Sequence, residues 1–269
     1  MRLRLRFPGA LLQHRELLWQ LCVREVQGRY RGSILGWSWT LITPLLTLAV
    51  YTFVFSQVFQ ARWGDIKDSG PLVFAINLFA GLIVFNLFSE TATKAPSLIL
   101  SNSNLVTKVI FPLEILAAAI VLTGLFHAFT SLAVLVIFQF IAKGSIPITI
   151  LWLPVIWLPL FGSCLALGWL LSALGVFLRD LGQVIGVAVN LLMFLSAVFY
   201  PLSALPPQWQ PLLRLNPLVL VIEQTRLVAI NGQAPSLAYL GWGSLLTLLF
   251  CELSFRAFQK GQRGFADVL

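Results

Sequence analysis

Uncharged stretches alternate with short polar ones along the chain, and most of the uncharged stretches have the length of a membrane span. A helix crosses about 30 Å of hydrocarbon with roughly 20 apolar residues. Residues 36–59, 71–89, 115–142, 182–202 and 237–255 each meet that requirement. The run 146–178 exceeds it and contains Pro147, Pro154 and Pro159. It reads as one span whose Trp- and Pro-rich first third lies at an interface, where indole rings favour the headgroup level. The pattern therefore predicts an all-α integral membrane protein with six transmembrane helices. Residues 90–114 are mixed, and no span fits there. Between spans five and six, the apolar pieces 218–222 and 227–230 are broken by Glu223 and Arg226. Each is too short to cross, and both are predicted as short re-entrant or interfacial helices shielded by protein or water.

Before span one, Glu16, Gln20, Arg24 and Gln27 share one helical face while Leu18, Trp19, Cys22 and Val26 share the other. This predicts an N-terminal amphipathic helix lying in the membrane surface. The chain divides into a cytoplasmic interface segment (1–35), a six-helix membrane domain (36–255) and a cytoplasmic tail (256–269), all within one domain.

Composition agrees with the spans. Of 269 residues, 58% are hydrophobic and 10% charged, against about 25% charged in a soluble domain; the mean hydropathy is +0.89. Charge sets the orientation: thirteen of the eighteen Lys and Arg residues fall on the side holding both termini. The excess marks that side as cytoplasmic. Attraction to anionic lipid accounts for the net charge of +8 without a nucleic-acid partner.

Candidate chemistry is sparse. Cys22, Cys164 and Cys251 have neither zinc-type nor disulfide-framework spacing, and His14 and His127 lack neighbours at ligand spacing. Only Glu252 falls within a predicted span, so coupling to an ion gradient is poorly supported. No paired catalytic groups are evident. No G-x-x-x-x-G-K-[ST] run is present; an energy source belongs to another subunit. The reading is a non-enzymatic membrane protein with no metal or cofactor of its own.

Three motifs are more specific. The first is Arg29-Tyr30-Arg31-Gly32-Ser33-Ile34-Leu35-Gly36-Trp37-Ser38-Trp39, followed by Pro44 and Tyr51-Thr52-Phe53-Val54-Phe55. The second is Ser101-Asn102-Ser103-Asn104-Leu105-Val106-Thr107-Lys108-Val109-Ile110-Phe111-Pro112-Leu113-Glu114-Ile115. The third is Tyr200-Pro201-Leu202-Ser203 with Asn216-Pro217-Leu218 and Arg226. In order and spacing the chain resembles the ABC-2 type permeases that export O-antigen, capsule or teichoic acid polysaccharides. It departs at Leu113, where the family often has a basic residue.

The resemblance implies a homodimer in the cytoplasmic (inner) membrane, joined to two copies of a separate nucleotide-binding subunit that holds ATP and Mg. Its substrate would be a lipid-linked polysaccharide. Asn104, Leu105, Lys108 and Phe111 would form a coupling helix on the ATPase. Arg29, Tyr30 and Arg31 would either hold a lipid pyrophosphate through charge-assisted bonds or serve as positive anchoring at the interface. Tyr51, Phe55 and Phe59, at i, i+4 and i+8, form one stripe suited to stacking on sugar rings along a glycan path. Tyr200, Pro201, Asn216, Pro217 and Arg226 would form an outer gate. Alternatives are an exporter of teichoic acid or of a small molecule or lipid, and a membrane scaffold that transports nothing.

Overall fold

The structure, a computed structural model, describes residues 7–55, 63, 71–107 and 111–268. Among them the regular structure is entirely helical. Helices α1 (Phe7–Gln13) and α2 (Arg15–Tyr30) lead to α3 (Trp39–Phe53) and α4 (Pro71–Lys94). A 3-10 turn, Ala95–Ser97, then passes to α5 (Leu98–Ser101) and α6 (Ser103–Thr107). The next are α7 (Glu114–Lys143), α8 (Leu153–Ile156), α9 (Leu158–Phe177) and α10 (Leu181–Leu195). After these come α11 (Gln210–Arg214), α12 (Pro217–Ala229), α13 (Leu237–Gln262) and α14 (Phe265–Val268).

Among the described residues, four helical stretches are long and apolar enough to cross a membrane: Leu72–Ser101, Glu114–Lys143, Ile148–Phe177 and Leu237–Gln262. The predicted spans one and five appear as α3 and α10, each of 15 residues, or about 22 Å at 1.5 Å per residue. Residues 56–59 of span one lie outside the described residues.

Helix α4 is the pillar. Residues 74–85 are buried without a break, as expected of a helix apolar on every side, and α7, α9, α10, α12 and α3 all pack against it. Helix α9 closes on this pillar through a small-residue stripe. A Cβ on Gly168 would lie 3.2 Å from that of Ala117, and one on Gly175 would lie 1.9 Å from the carbonyl oxygen of Pro96. Trp169, fully buried between them, donates its indole N–H to the Glu114 carbonyl at 2.9 Å and meets Phe255 edge-on at 5.0 Å. Helix α13 is stitched along α8 and α9 by three side chains on carbonyls: Tyr239 on Ile156 of α8 (3.0 Å), and Thr247 on Pro159 (3.2 Å) and Cys251 on Gly162 (2.9 Å) of α9. Helix α7 stops where Gly144 takes φ +69 and its N–H closes onto the Phe140 carbonyl.

Three expectations change. The second span continues past Ser89: Thr91, Ala92, Ala95, Leu98 and Ile99 keep its buried face going through the 3-10 turn to Ser101. The charged groups Glu90 and Lys94 therefore ride on a membrane helix. The pieces 218–222 and 227–230 are one helix, α12, because Glu223 and Arg226 pair across one turn at 3.1 Å and do not break it. On α2, Leu18, Cys22 and Val26 are buried together with Leu21, and the helix packs along α7. Trp19 lies off this face and is 67% exposed. On α10, a Cβ on Gly182 or Gly186 would make no tight contact within the described residues, unlike one on Gly168 or Gly175 of α9.

The closest approach carries a prediction. Gly175→Ala should lower the melting temperature in detergent, since overpacking costs about 1–3 kcal/mol or more and the Pro96 backbone cannot yield. Gly241→Ala on α13, where a Cβ meets nothing within 4 Å, should melt at or slightly above the wild-type temperature.

Candidate functional site

Two polar regions interrupt the apolar body. The larger is a cavity of ≈ 730 Å³ between α2, α3, α4 and α7. Helix α3 contributes Thr40, Thr43 and Thr47, spaced to fall on one face. Asn86, Ser89 and Thr93 come from α4, and His127, Thr130 and Ser131 from α7. Several of these hydroxyls donate to the preceding turn of their own helix: Thr47 to Thr43 (2.9 Å), Thr93 to Ser89 (2.7 Å), and Ser131 to His127 (2.8 Å). This is how a hydroxyl sits on a membrane helix without an orphaned proton.

The mouth of the cavity is charged. Glu90 Oε1 receives the guanidinium of Arg29 and the ammonium of Lys94, the latter at 3.0 Å. Lys94 also reaches Glu25 at 3.3 Å. The alternating chain Arg29–Glu90–Lys94–Glu25 ties α2 to α4. Tyr30 stands beside it, its ring edge-on to His127 at 6.2 Å. The far side of Tyr30 borders a shallow depression with Arg24, Gln27, Arg31 and Trp37. Arg24 and Arg31 are exposed and form no ion pair among the described residues.

The second region surrounds Arg226, 3% exposed. After α10 the backbone unwinds, with Ala197 at φ +52. Arg226 fills the break, donating Nε to the Asn77 carbonyl (3.0 Å), one terminal nitrogen to Ala197 (2.9 Å) and the other to Val198 (2.7 Å). Gly81 leaves room for it, since a Cβ there would lie 2.8 Å from the guanidinium. Burial pulls Arg226 down to about 10 while Glu223 opposes the fall, so it is a cation at neutral pH. Asn216 caps α12 by accepting the Leu218 N–H at 3.0 Å, with Pro217 in the first turn. Its amide nitrogen reaches Ser196 Oγ at 3.0 Å. Tyr200 donates to the Phe194 carbonyl at 2.8 Å.

Of the residues singled out in the sequence, Tyr200, Pro201, Asn216, Pro217 and Arg226 gather at this break. Tyr51 and Phe55 join them: Phe55 stacks on Phe199 (6.0 Å) and Phe74 (5.2 Å), and Tyr51 lies 6.3 Å from Phe199. Both are partly buried against the core and do not form an open stripe. Arg29 and Tyr30 line the large cavity, whereas Arg31 lies outside it. Asn104 is exposed on α6, and Leu105 and Phe111 pack against the core. Helix α6 touches α14. Phe59 and Lys108 lie outside the described residues. Among those described, no three His, Cys, Asp or Glu side chains come together.

The sequence reading missed the cavity. Its signal was present as polar residues three or four apart on two helices, Thr40/Thr43/Thr47 and Asn86/Ser89/Glu90/Thr93, inside otherwise apolar runs.

The ABC-2 type transporter family model matches residues 16–229, from α2 through α12. The chain is 29% identical, over 98% of its length and 99% of the relative's, to the O-antigen export system permease protein RfbA of Myxococcus xanthus. It is 22% identical to the RfbA permease of Klebsiella pneumoniae over 94% of this chain and 95% of that one. It is 27% identical to the polysialic acid transport protein KpsM of Escherichia coli over 85% and 88%.

Arg226→Met should strip three carbonyls of their donor, each worth about 1–3 kcal/mol when left unsatisfied. The expected result is a strongly lowered melting temperature, with Arg214→Met, at an exposed position, unchanged. Equal melting of the two variants would show that the break is held by other contacts.

Proposed function

Because the chain belongs to the ABC-2 type transporter family, we propose that it is the permease of an ATP-binding-cassette exporter. It spans the cytoplasmic membrane six times with both termini inside, and works as a homodimer with two copies of a separate nucleotide-binding subunit. Its cargo is a lipid-linked polysaccharide of the O-antigen or capsular kind. The observation that carries the reading is the end-to-end match, 98% of this chain against 99% of the relative, to a permease named for O-antigen export. A polar cavity inside an apolar bundle supports transport over scaffolding, since a scaffold needs none. ATP and Mg bind the partner, as this sequence has no phosphate-cradling Gly-Lys loop.

In this scheme α6 and α14 form the surface that receives the ATPase. Asn104, exposed on α6, makes the contact, while Leu105 and Phe111 fix the loop to the bundle. ATP binding moves this surface and shifts the two permeases between sealed and open states by its differential affinity for them. Arg31, with Arg24 beside it, faces the lipid diphosphate; Arg29 is already engaged by Glu90. The break around Arg226 forms the outer gate.

Deleting the partner ATPase should leave the glycan inside the cell. Asn104→Trp should lower export at least tenfold, with the chain still inserted and folded. Undiminished export and unchanged co-purification with the ATPase would remove α6 from the coupling surface.

A further inference from the structure

Several polar groups at the cavity wall are unspent among the described residues. Thr43, Asn86 and Ser89 line it, and among the described residues their side chains have no hydrogen-bond partner. The Nε2 atom of His127, also at its wall, is buried without a partner. Glu90 presents a second carboxylate oxygen, because Arg29 and Lys94 both meet Oε1. Elsewhere on these helices Thr52, Asn77, Thr91 and Thr123 bond to carbonyls, while Gln139 of α7 is buried without a partner. Thr43 and Asn86 are exposed and line the cavity, so a ligand or water in it can supply their bonds.

The lining selects the ligand. A phosphate would have to displace Glu90 from both cations and then face its carboxylate, whereas the depression across Tyr30 offers Arg24 and Arg31, neither paired to an acid among the described residues. An acyl chain would leave the amide and hydroxyls unsatisfied. A hydroxylated ring satisfies them: its hydroxyls donate to Glu90 and His127 and accept from Asn86, and its C–H face lies against Tyr30 and Trp39, both at the wall. The volume, ≈ 730 Å³, lies within the range of small-molecule sites. The geometry points to a saccharide subsite: the cavity takes the sugar next to the lipid diphosphate, with Asn86, Ser89, Thr43, Glu90 and His127 as its hydrogen-bonding groups and Tyr30 dividing sugar from phosphate. This rests on the export reading above.

The test uses the full chain with its ATPase in cells that make the glycan. p-Benzoylphenylalanine is introduced at position 86 and, for comparison, at position 249, exposed on α13. After irradiation, the purified chain is stained with a periodate-based carbohydrate reagent and the adduct is weighed by mass spectrometry. Carbohydrate on the position-86 chain at least tenfold above position 249 is the expected result. No adduct at 86, or phospholipid alone, in cells that display the glycan would overturn the subsite and leave the export reading standing. If deletion of the chain leaves the surface glycan unchanged, both fall. Thr43→Val combined with Asn86→Leu should lower surface glycan at least tenfold with the protein recovered in wild-type amount; wild-type export by that variant would equally overturn the subsite.

Discussion

Polar atoms in an apolar medium must find partners inside the protein, and most of this structure follows from how they do so. Side chains repeatedly close onto main-chain carbonyls at the points where helices are broken or crowded. Arg226 serves Asn77, Ala197 and Val198; Trp169 serves Glu114; Lys143 and Thr149 serve Ile230 and Val228; Tyr239 serves Ile156. Each contact fixes one helix end against another element. Thr43, Asn86 and Ser89 at the α2–α3–α4–α7 cavity take no part in these contacts.

Helix α4 links the two polar regions. Near its start Asn77 and Gly81 meet Arg226; at its end Glu90 and Lys94 meet α2. Through the turn at Ala95–Ser97 it runs into α5 and α6, and that turn is wedged against Gly175 of α9. A close-packed interior transmits displacement instead of absorbing it. Force applied to α6 thus has a stiff route to the break after α10, through a helix buried along most of its length.

The helical class and the long apolar spans were legible in the sequence because they depend on a local property, length in hydrocarbon; the Asn216 cap on α12 was not read there, although its residues were singled out. Arg226 was also visible, as a charge out of place, but not its role, since its partners lie 28, 29 and 149 residues away. The continuation of α4 past Glu90 was hidden for the same reason. A carboxylate ends a span only when nothing neutralises it; one of its two cations, Lys94, lies a turn away, but the other, Arg29, is 61 residues distant. Trp19 misled because an apolar residue beside an apolar stripe was counted into it, although one step along a helix turns about 100°.

Along α3 one face changes chemistry with height. Thr40, Thr43 and Thr47 open onto the cavity, and the same face continues into Tyr51 and Phe55, about 22 Å from first to last. On the export reading, a sugar chain following this helix leaves a hydrogen-bonding surface and enters one suited to stacking. That upper end is closed by Phe199 and Phe74. The closure is of a kind that yields: ring pairs contribute about 0.5–1.5 kcal/mol each beyond burial. The Arg226 contacts a few residues away are charge-assisted and buried, and are individually stronger. The ring contacts of Tyr51 and Phe55 with Phe199 are thus the weaker closure at this end, and the Arg226 bonds that hold the broken segment on α4 the stronger one.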